Sequence, residues 1–406
     1  MARKLFNSRG QETIEVDIIT TDGFGRAAAP AGASKGKAEV VSYPKGGVDA
    51  AIKTLDELVV PELIGMDAEE QNEIDALLHE IDETEDFSKV GGNTAFAISV
   101  ANAEAAATSY DLPLFQYLSG YLGNELPYPL GNVLGGGKHA LGKTTDIQEY
   151  LVIPFKAPSF AEAAKANIIV HQKIGALLRK ADKNFTGGRG DEGAWAPNIE
   201  NEEALKIVAK ACEEVSEDLG IECRACLDVA ASSFWNQKEN VYVYSMEGKK
   251  RGSGEQLEFM LHLIEEYNLA YVEDPFDEKD YESFAELTKK AKKCLICGDD
   301  LFVTNRERLN KGIEMCAGNS LIIKINQVGT LTDAWETTRL AKRAGYVPVM
   351  SHRSGETTDT HIAHLAVGFS CPVIKTGVLN GERVAKINEL IRIEENLGNR
   401  AQMSRL

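Results

Sequence analysis

Leu269-Ala-Tyr-Val-Glu273, Cys294-Leu-Ile-Cys-Gly-Asp299 and Ser320-Leu-Ile-Ile-Lys324 share one form: a short, largely apolar run that closes on a charged residue. Cys223-Arg-Ala-Cys-Leu-Asp228, Val347-Pro-Val-Met-Ser-His352 and Cys371-Pro-Val-Ile-Lys375 repeat it. The closing residues are 45, 26, 25, 28 and 23 positions apart in chain order. A strand, a helix and two loops fill such an interval, since a βαβ unit takes roughly 30 residues or more. Amphipathic helical stretches lie between the runs, which reads as an α/β chain with a TIM-like barrel. In a parallel barrel the C-terminal strand ends share one rim, so polar residues there converge on one mouth. A single such residue is most simply a solvated strand-end charge, but six in register are hard to explain that way. A doubly wound sheet is the competing architecture, with its ligand at one crevice instead of around a ring. The wide first interval leaves room for extra structure.

The chain before these runs reads differently. Thr13 to Thr21 alternates and is rich in β-branched residues, as a strand does. A loop, Asp22-Gly23-Phe24-Gly25, follows, and Pro30 and small residues deny Ala27–Gly36 a helix. Helical spacing recurs over Val48–Leu63 and Ala68–Ile81, and Gly91–Tyr110 reads as an alanine-rich helix. Residues 1–125 are therefore expected to form a small α+β domain and residues 126–406 the barrel.

The composition excludes some functions. With 26% charged and 43% hydrophobic residues, the 406-residue chain is that of an ordinary globular protein. A net charge of −18 argues against nucleic acid and anionic membrane as partners. No apolar run is long enough to span a bilayer, and the basic start lacks a signal core. Seven cysteines fit a reducing compartment, so a cytoplasmic location is expected.

Asp228, Glu273 and Asp299 would repel one another on one rim unless a cation stood among them. Hard oxygen donors with positions left for water suit Mg²⁺, and no histidine or cysteine closes these three runs. Lys324 and Lys375 follow on later strands, and a lysine beside a dication has its pKa lowered, as a general base needs. The implied chemistry is removal of a proton next to a carboxylate.

At this point the residues resemble the enolase family. The matches are Gly190-Asp191-Glu192-Gly193, Asp228-Val229-Ala230-Ala231-Ser232, Glu273-Asp274-Pro275-Phe276, Gly298-Asp299-Asp300-Leu301 and Ser351-His352-Arg353-Ser354-Gly355-Glu356-Thr357. Asn7-Ser8-Arg9-Gly10, Gly32-Ala33-Ser34, Gly137-Lys138-His139-Ala140, Gln148-Glu149 and Ile374-Lys375-Thr376-Gly377 add to them in family order. Each is weak alone, whereas the ordered set is specific. The resemblance implies reversible dehydration of 2-phosphoglycerate to phosphoenolpyruvate with two Mg²⁺ ions per site. It implies that Asp228, Glu273 and Asp299 bind the tighter ion, that Lys324 is the base and that Glu192 is the acid. Glu149 would support Glu192, sharing a proton with it. Gln148 would be a nearby polar contact, Arg353 and Ser354 would meet the phosphate, and Lys375 the substrate carboxylate. His139 would belong to a closing loop and His352 to the site. Ser34 would lie in a loop that closes over substrate and contributes to the second ion. A homodimer or ring of dimers is also implied. Ala31, Lys35, Gly135, Ala194-Trp195 and Ser233 depart from the usual pattern without removing a catalytic group. Superfamily racemases and cycloisomerases usually carry a Lys-x-Lys pair that is absent here. A binding or scaffold protein without turnover is the alternative, against which stand Lys324, Glu192 and all three carboxylates.

Weaker motifs read as structural. The residues of Cys223-x-x-Cys226 and of Cys294-x-x-Cys297 fall on opposite faces of a strand, so neither pair easily grips one ion. His361-x-x-His364 falls on an expected helix without a carboxylate pattern. Gly23-x-Gly25-x-x-Ala28 lacks the helix a dinucleotide fingerprint needs, and Gly135-Gly136-Gly137-Lys138 lacks a following Ser or Thr.

Overall fold

The structure, a computed structural model, describes residues 1–33 and 36–406. An antiparallel sheet opens the chain, with β2 (Glu12–Ile19) between β1 (Ala2–Phe6) and β3 (Phe24–Ala28). Ile14 and Val16 of β2 are buried. The helix Gly92–Ser109, alanine-rich as expected, packs against β2 and β3 and is buried over most of its length. Strand β3 occupies the stretch read as loop and small residues. A Cβ on Gly25 would stand 1.9 Å from the Ala101 carbonyl oxygen, and one on Gly23 2.1 Å from that of Ala105. The Gly-x-Gly motif thus serves close strand–helix packing.

Eight strands close the barrel in the order β11-β12-β13-β14-β15-β5-β6-β7. They are β5 (Tyr128–Gly135), β6 (Glu149–Phe155), β7 (Glu222–Asp228), β11 (Tyr271–Glu273), β12 (Leu295–Gly298), β13 (Ser320–Ile323), β14 (Val347–Ser351) and β15 (Val373–Gly377). The wide interval after Asp228 holds a small sheet of β8 (Trp235–Asn236), β9 (Val241–Tyr244) and β10 (Lys249–Arg251). A separate short parallel pair, β4 (Glu125–Leu126) and β16 (Gln402–Met403), joins the segment before β5 to residues 402–403. One expectation needs correction: the barrel is not wholly parallel. Strand β6 runs antiparallel to both β5 and β7. A hairpin joins β5 to β6, and two helices in succession, Phe160–Ala181 and Asn201–Leu219, return the chain to β7. Antiparallel neighbours need no single-helix crossover, which is why the spacing rule starts only at Asp228.

Strand alternation divides the core. Leu130, Leu151, Ile153, Cys226, Cys297, Ile322, Val349 and Val373 fill the barrel interior. Cys223 and Cys294 pack in the outer layer under the helices. Each cysteine pair therefore faces two ways, and the cysteines are free thiols.

A buried ion cluster ties the sheet and its helix to the barrel. The Asp359 Oδ2 accepts the Ala28 N–H at 3.0 Å. His361 pairs with Asp359 and lies 3.3 Å from Glu104 on the helix Gly92–Ser109. His364 pairs instead with Glu389 at 3.2 Å, so the His361-x-x-His364 motif is structural. Burial lowers the His361 pKa, but Asp359 and Glu104 outweigh it and raise it to about 10. The Asp359 carboxyl, which burial raises and His361 lowers, falls to about 2.

Two predictions follow from these contacts. Gly25→Ala forces the sheet from the helix and should cost about 1–3 kcal/mol or more in denaturant unfolding. The His361 contribution is full below its unfolded pKa of 6.5 and is lost as pH rises toward 10. The stability gap between the native chain and His361→Gln should therefore be widest near pH 5 and should shrink by pH 10, both on the order of a few kcal/mol or less.

Candidate active site

The strand ends bring the site together. Asp228 and Glu273 are the last residues of β7 and β11, paired in register. Asp299, Lys324 and His352 each follow the last residue of β12, β13 and β14 directly. Lys375 lies within β15. Glu149 reaches the same rim from the first residue of β6, opposite Asp228, because that strand is reversed. Gln148 precedes it, and its Nε2 lies 3.4 Å from Asp228 Oδ2. The backbone leaves Glu273 through a left-handed residue, Asp274 (φ 41°), whose carboxylate accepts the N–H groups of Asp299 at 3.0 Å and Asp300 at 2.7 Å. Such strain beside functional groups is held by the contacts around it.

The carboxylates are gathered around cations. Lys375 Nζ donates at 2.8 Å to Asp228 Oδ2 and to both Glu273 oxygens, and lies 3.4 Å from Glu149 Oε2. Lys324 donates to Asp299, which also accepts from Gln327 Nε2 at 2.9 Å. Burial would lower both lysines, yet the surrounding carboxylates hold each above its usual value. Burial and the charge of Asp228 push Glu273 well up, so one ammonium does not neutralise the cage. Asp299 also joins Asp274 and Asp300 in a cluster whose oxygens lie within 4.8 Å of one another. This all-oxygen donor set fits a hard divalent cation. A lowered lysine pKa was expected beside such a cation; without one the carboxylates reverse the sign.

On the other side of the mouth, His139, Glu149 and Glu192 converge within 4.8 Å. His139 Nδ1 is 3.2 Å from Glu149 and 3.7 Å from Glu192. Asn132 Nδ2 donates to Glu192 Oε2 at 2.9 Å, and His352 Nε2 faces the same oxygen at 3.3 Å. Burial and the charge of Glu192 raise Glu149. Burial raises Glu192 too, but His352, His139 and Arg383 hold it well below the usual range. The two carboxyls of this pair are thus pushed in opposite directions, Glu149 up and Glu192 down.

Arg353 donates to both Glu39 oxygens, at 3.1 and 2.9 Å, and to Asn326 at 3.0 Å. Ser354 Oγ accepts the Ala33 N–H at 2.6 Å, and Ala31 and Gly355 exchange two backbone bonds of 2.7 Å. The N-terminal segment is thereby seated on the rim. Ser34, expected at the site, lies outside the described residues. Strand-end reading missed Asn132, Glu39, Gln327 and Arg383. Gln327 lies three positions past Lys324 and Asn132 lies in a strand, so both were findable as buried polar residues. Glu39 and Arg383 carry no local signal.

A barrel with one reversed strand, whose mouth gathers acidic groups that could hold a metal ion, defines the class of protein. The family model described as "Enolase, N-terminal domain" matches residues 1–118, and "Enolase, C-terminal TIM barrel domain" matches residues 124–405. The enolase of Methanosphaera stadtmanae is 58% identical over 398 residues, covering 98% of this chain and 96% of its own. That of Methanothermobacter thermautotrophicus is 54% identical over 97% of this chain and 95% of its own. That of Haloarcula marismortui is 50% identical, with 97% of both chains covered. The chain belongs to the enolase family and is a lyase, a phosphopyruvate hydratase of glycolysis, acting on a small-molecule substrate. No helix among the described residues is long and apolar enough to cross a membrane.

Proposed function

We propose that the chain interconverts 2-phospho-D-glycerate and phosphoenolpyruvate with two Mg²⁺ ions per site. The observation that carries this is an opposition across the ring. Lys324 follows β13 and Glu149 opens β6, four places apart in a closed order of eight strands. Glu192 lies beside Glu149, grouped with it and His139 within 4.8 Å, so the Lys324 base and the Glu192 acid meet opposite faces of one substrate. Asp228, Glu273 and Asp299 would hold the tighter ion, and Lys375 would meet the substrate carboxylate. Bound Mg²⁺ supplies the charge that offsets the second negative charge growing on that carboxylate. The enolase superfamily in general pairs a Lys or His base with Mg²⁺.

Lys324, once deprotonated, takes the proton from carbon 2 at Nζ. Glu192 delivers a proton to the leaving 3-hydroxyl, which makes loss of a poor leaving group feasible. Glu149 and Glu192 share that proton, with His139 between them; substrate binding moves it to Glu192. Arg353 and Ser354 contact the phosphate, Gln148 borders the carboxylates, and His352 faces Glu192; Ser34, which lies outside the described residues, would act toward the second ion. Glu192, Lys324 and the three carboxylates in one mouth favour turnover over a non-catalytic scaffold. A domain division at residue 125, a cytoplasmic location and a homodimer or ring of dimers complete the reading.

Enol-phosphate absorbance should appear when 2-phosphoglycerate and Mg²⁺ are added. Lys324→Ala should lower turnover by about 10²–10⁴-fold and abolish solvent exchange of the carbon 2 proton, with Mg²⁺ still bound. Native-rate exchange in that variant would remove Lys324 as the base. Asp299→Ala should weaken Mg²⁺ in a metal titration by about 10–100-fold or more; an unchanged isotherm would contradict its ligand role.

A further inference from the structure

Arg383 is wholly buried and opens a helix, Gly381–Leu397. A cation there is doubly unfavourable, since burial strips its water and the helix N-terminus is itself positive. Glu382, 3.4 Å from its Nε, offsets part of that cost, and its remaining contacts point to the site. Its Nη1 donates to the Arg353 carbonyl at 2.6 Å and stands 2.8 Å from His352 Nδ1. Its Nη2 donates to the Ser354 carbonyl at 2.6 Å. Gly377 makes the approach possible: a Cβ there would lie 2.5 Å from the Glu192 carbonyl oxygen and 3.0 Å from Arg383 Cγ.

Guanidinium can only donate, so His352 Nδ1 must accept. A neutral ring then carries its proton on Nε2, which lies 3.3 Å from Glu192 Oε2 without a formed hydrogen bond to it. We propose that Arg383 is a positioning residue that locks His352 in its Nε2–H tautomer, keeps that nitrogen on the Glu192 side of the ring, and holds the Arg353–Ser354 backbone in register with it. The charged groups facing His352 are Glu192, Arg383 and Glu356. Burial and Arg383 lower its pKa, Glu192 and Glu356 raise it, and the balance is about 4, so the ring stays neutral at neutral pH. Arg383 thus links the acid and the phosphate contacts through one planar fork, which lysine cannot reproduce.

The inference rests on the proposed role of Glu192 as the acid, and the test separates the two. Nitrogen-15 histidine spectra of the native chain, with His352 assigned by its absence in His352→Asn, should show the Nε2–H neutral ring at neutral pH. Arg383→Lys should give a mixture of tautomers and move the acid limb of the kcat profile to higher pH. Its kcat for 2-phosphoglycerate should fall about 10–100-fold, the cost usual for groups that orient a reacting side chain, with a smaller change in KM. An Nδ1–H or cationic His352 in the native chain overturns the inference even if Arg383→Lys does not fold. So does a folded Arg383→Lys with the native tautomer and pH profile. A native chain with the expected spectrum but no turnover overturns the proposed reaction and leaves the positioning contact standing.

Discussion

Carboxylates of like charge crowded on one barrel rim are the constraint on which the site depends. Asp228, Glu149 and Glu273 lie on three adjacent strands and share one ammonium, that of Lys375. Buried anions at that spacing either bind protons or gather cations. The structure does both: Glu149 and Glu273 are pushed up, while both lysines are drawn in and held charged. This imbalance makes the mouth receptive to a divalent cation. Lys324, Lys375 and Arg353 place positive charge in this mouth of a chain whose net charge is −18.

The reversed strand matters as much as the charges. Were β6 parallel to its neighbours, Glu149 would lie at the far end of the barrel. Its reversal puts the strand's first residue level with Asp228, and Gln148 beside it. The helix-and-sheet unit at the start of the chain also shapes the mouth. Glu39 pairs with Arg353, and Ala31 and Ala33 bond to Gly355 and Ser354. Asp359, His361 and Glu104 anchor that unit to the barrel at depth.

Much of this was legible in one dimension. Asp228, Glu273, Asp299, Lys324 and His352 were readable because a parallel strand delivers its C-terminal end to one rim, and Lys375, two residues before the end of β15, reaches it too. The opposed faces of Cys223 and Cys226 followed from strand alternation alone. Strand β3 was hidden because its Gly25, Ala27 and Ala28 have small side chains that signal loop locally; only the helix lying against them makes a strand there favourable. Arg383 and Glu39 were hidden because each acts on a residue distant in sequence, with no spacing rule to mark it.

The sequence by itself determined the alternating elements, the charged strand ends and the family resemblance, because these rest on local periodicity and on ordered motifs. Tertiary structure alone decided three things: the reversal of β6, the Lys375 bridge between Asp228 and Glu273, and the opposite pKa shifts of Glu149 and Glu192. Each depends on distances between groups far apart in the chain. Coulomb energies and burial penalties follow those distances, and a linear pattern does not contain them.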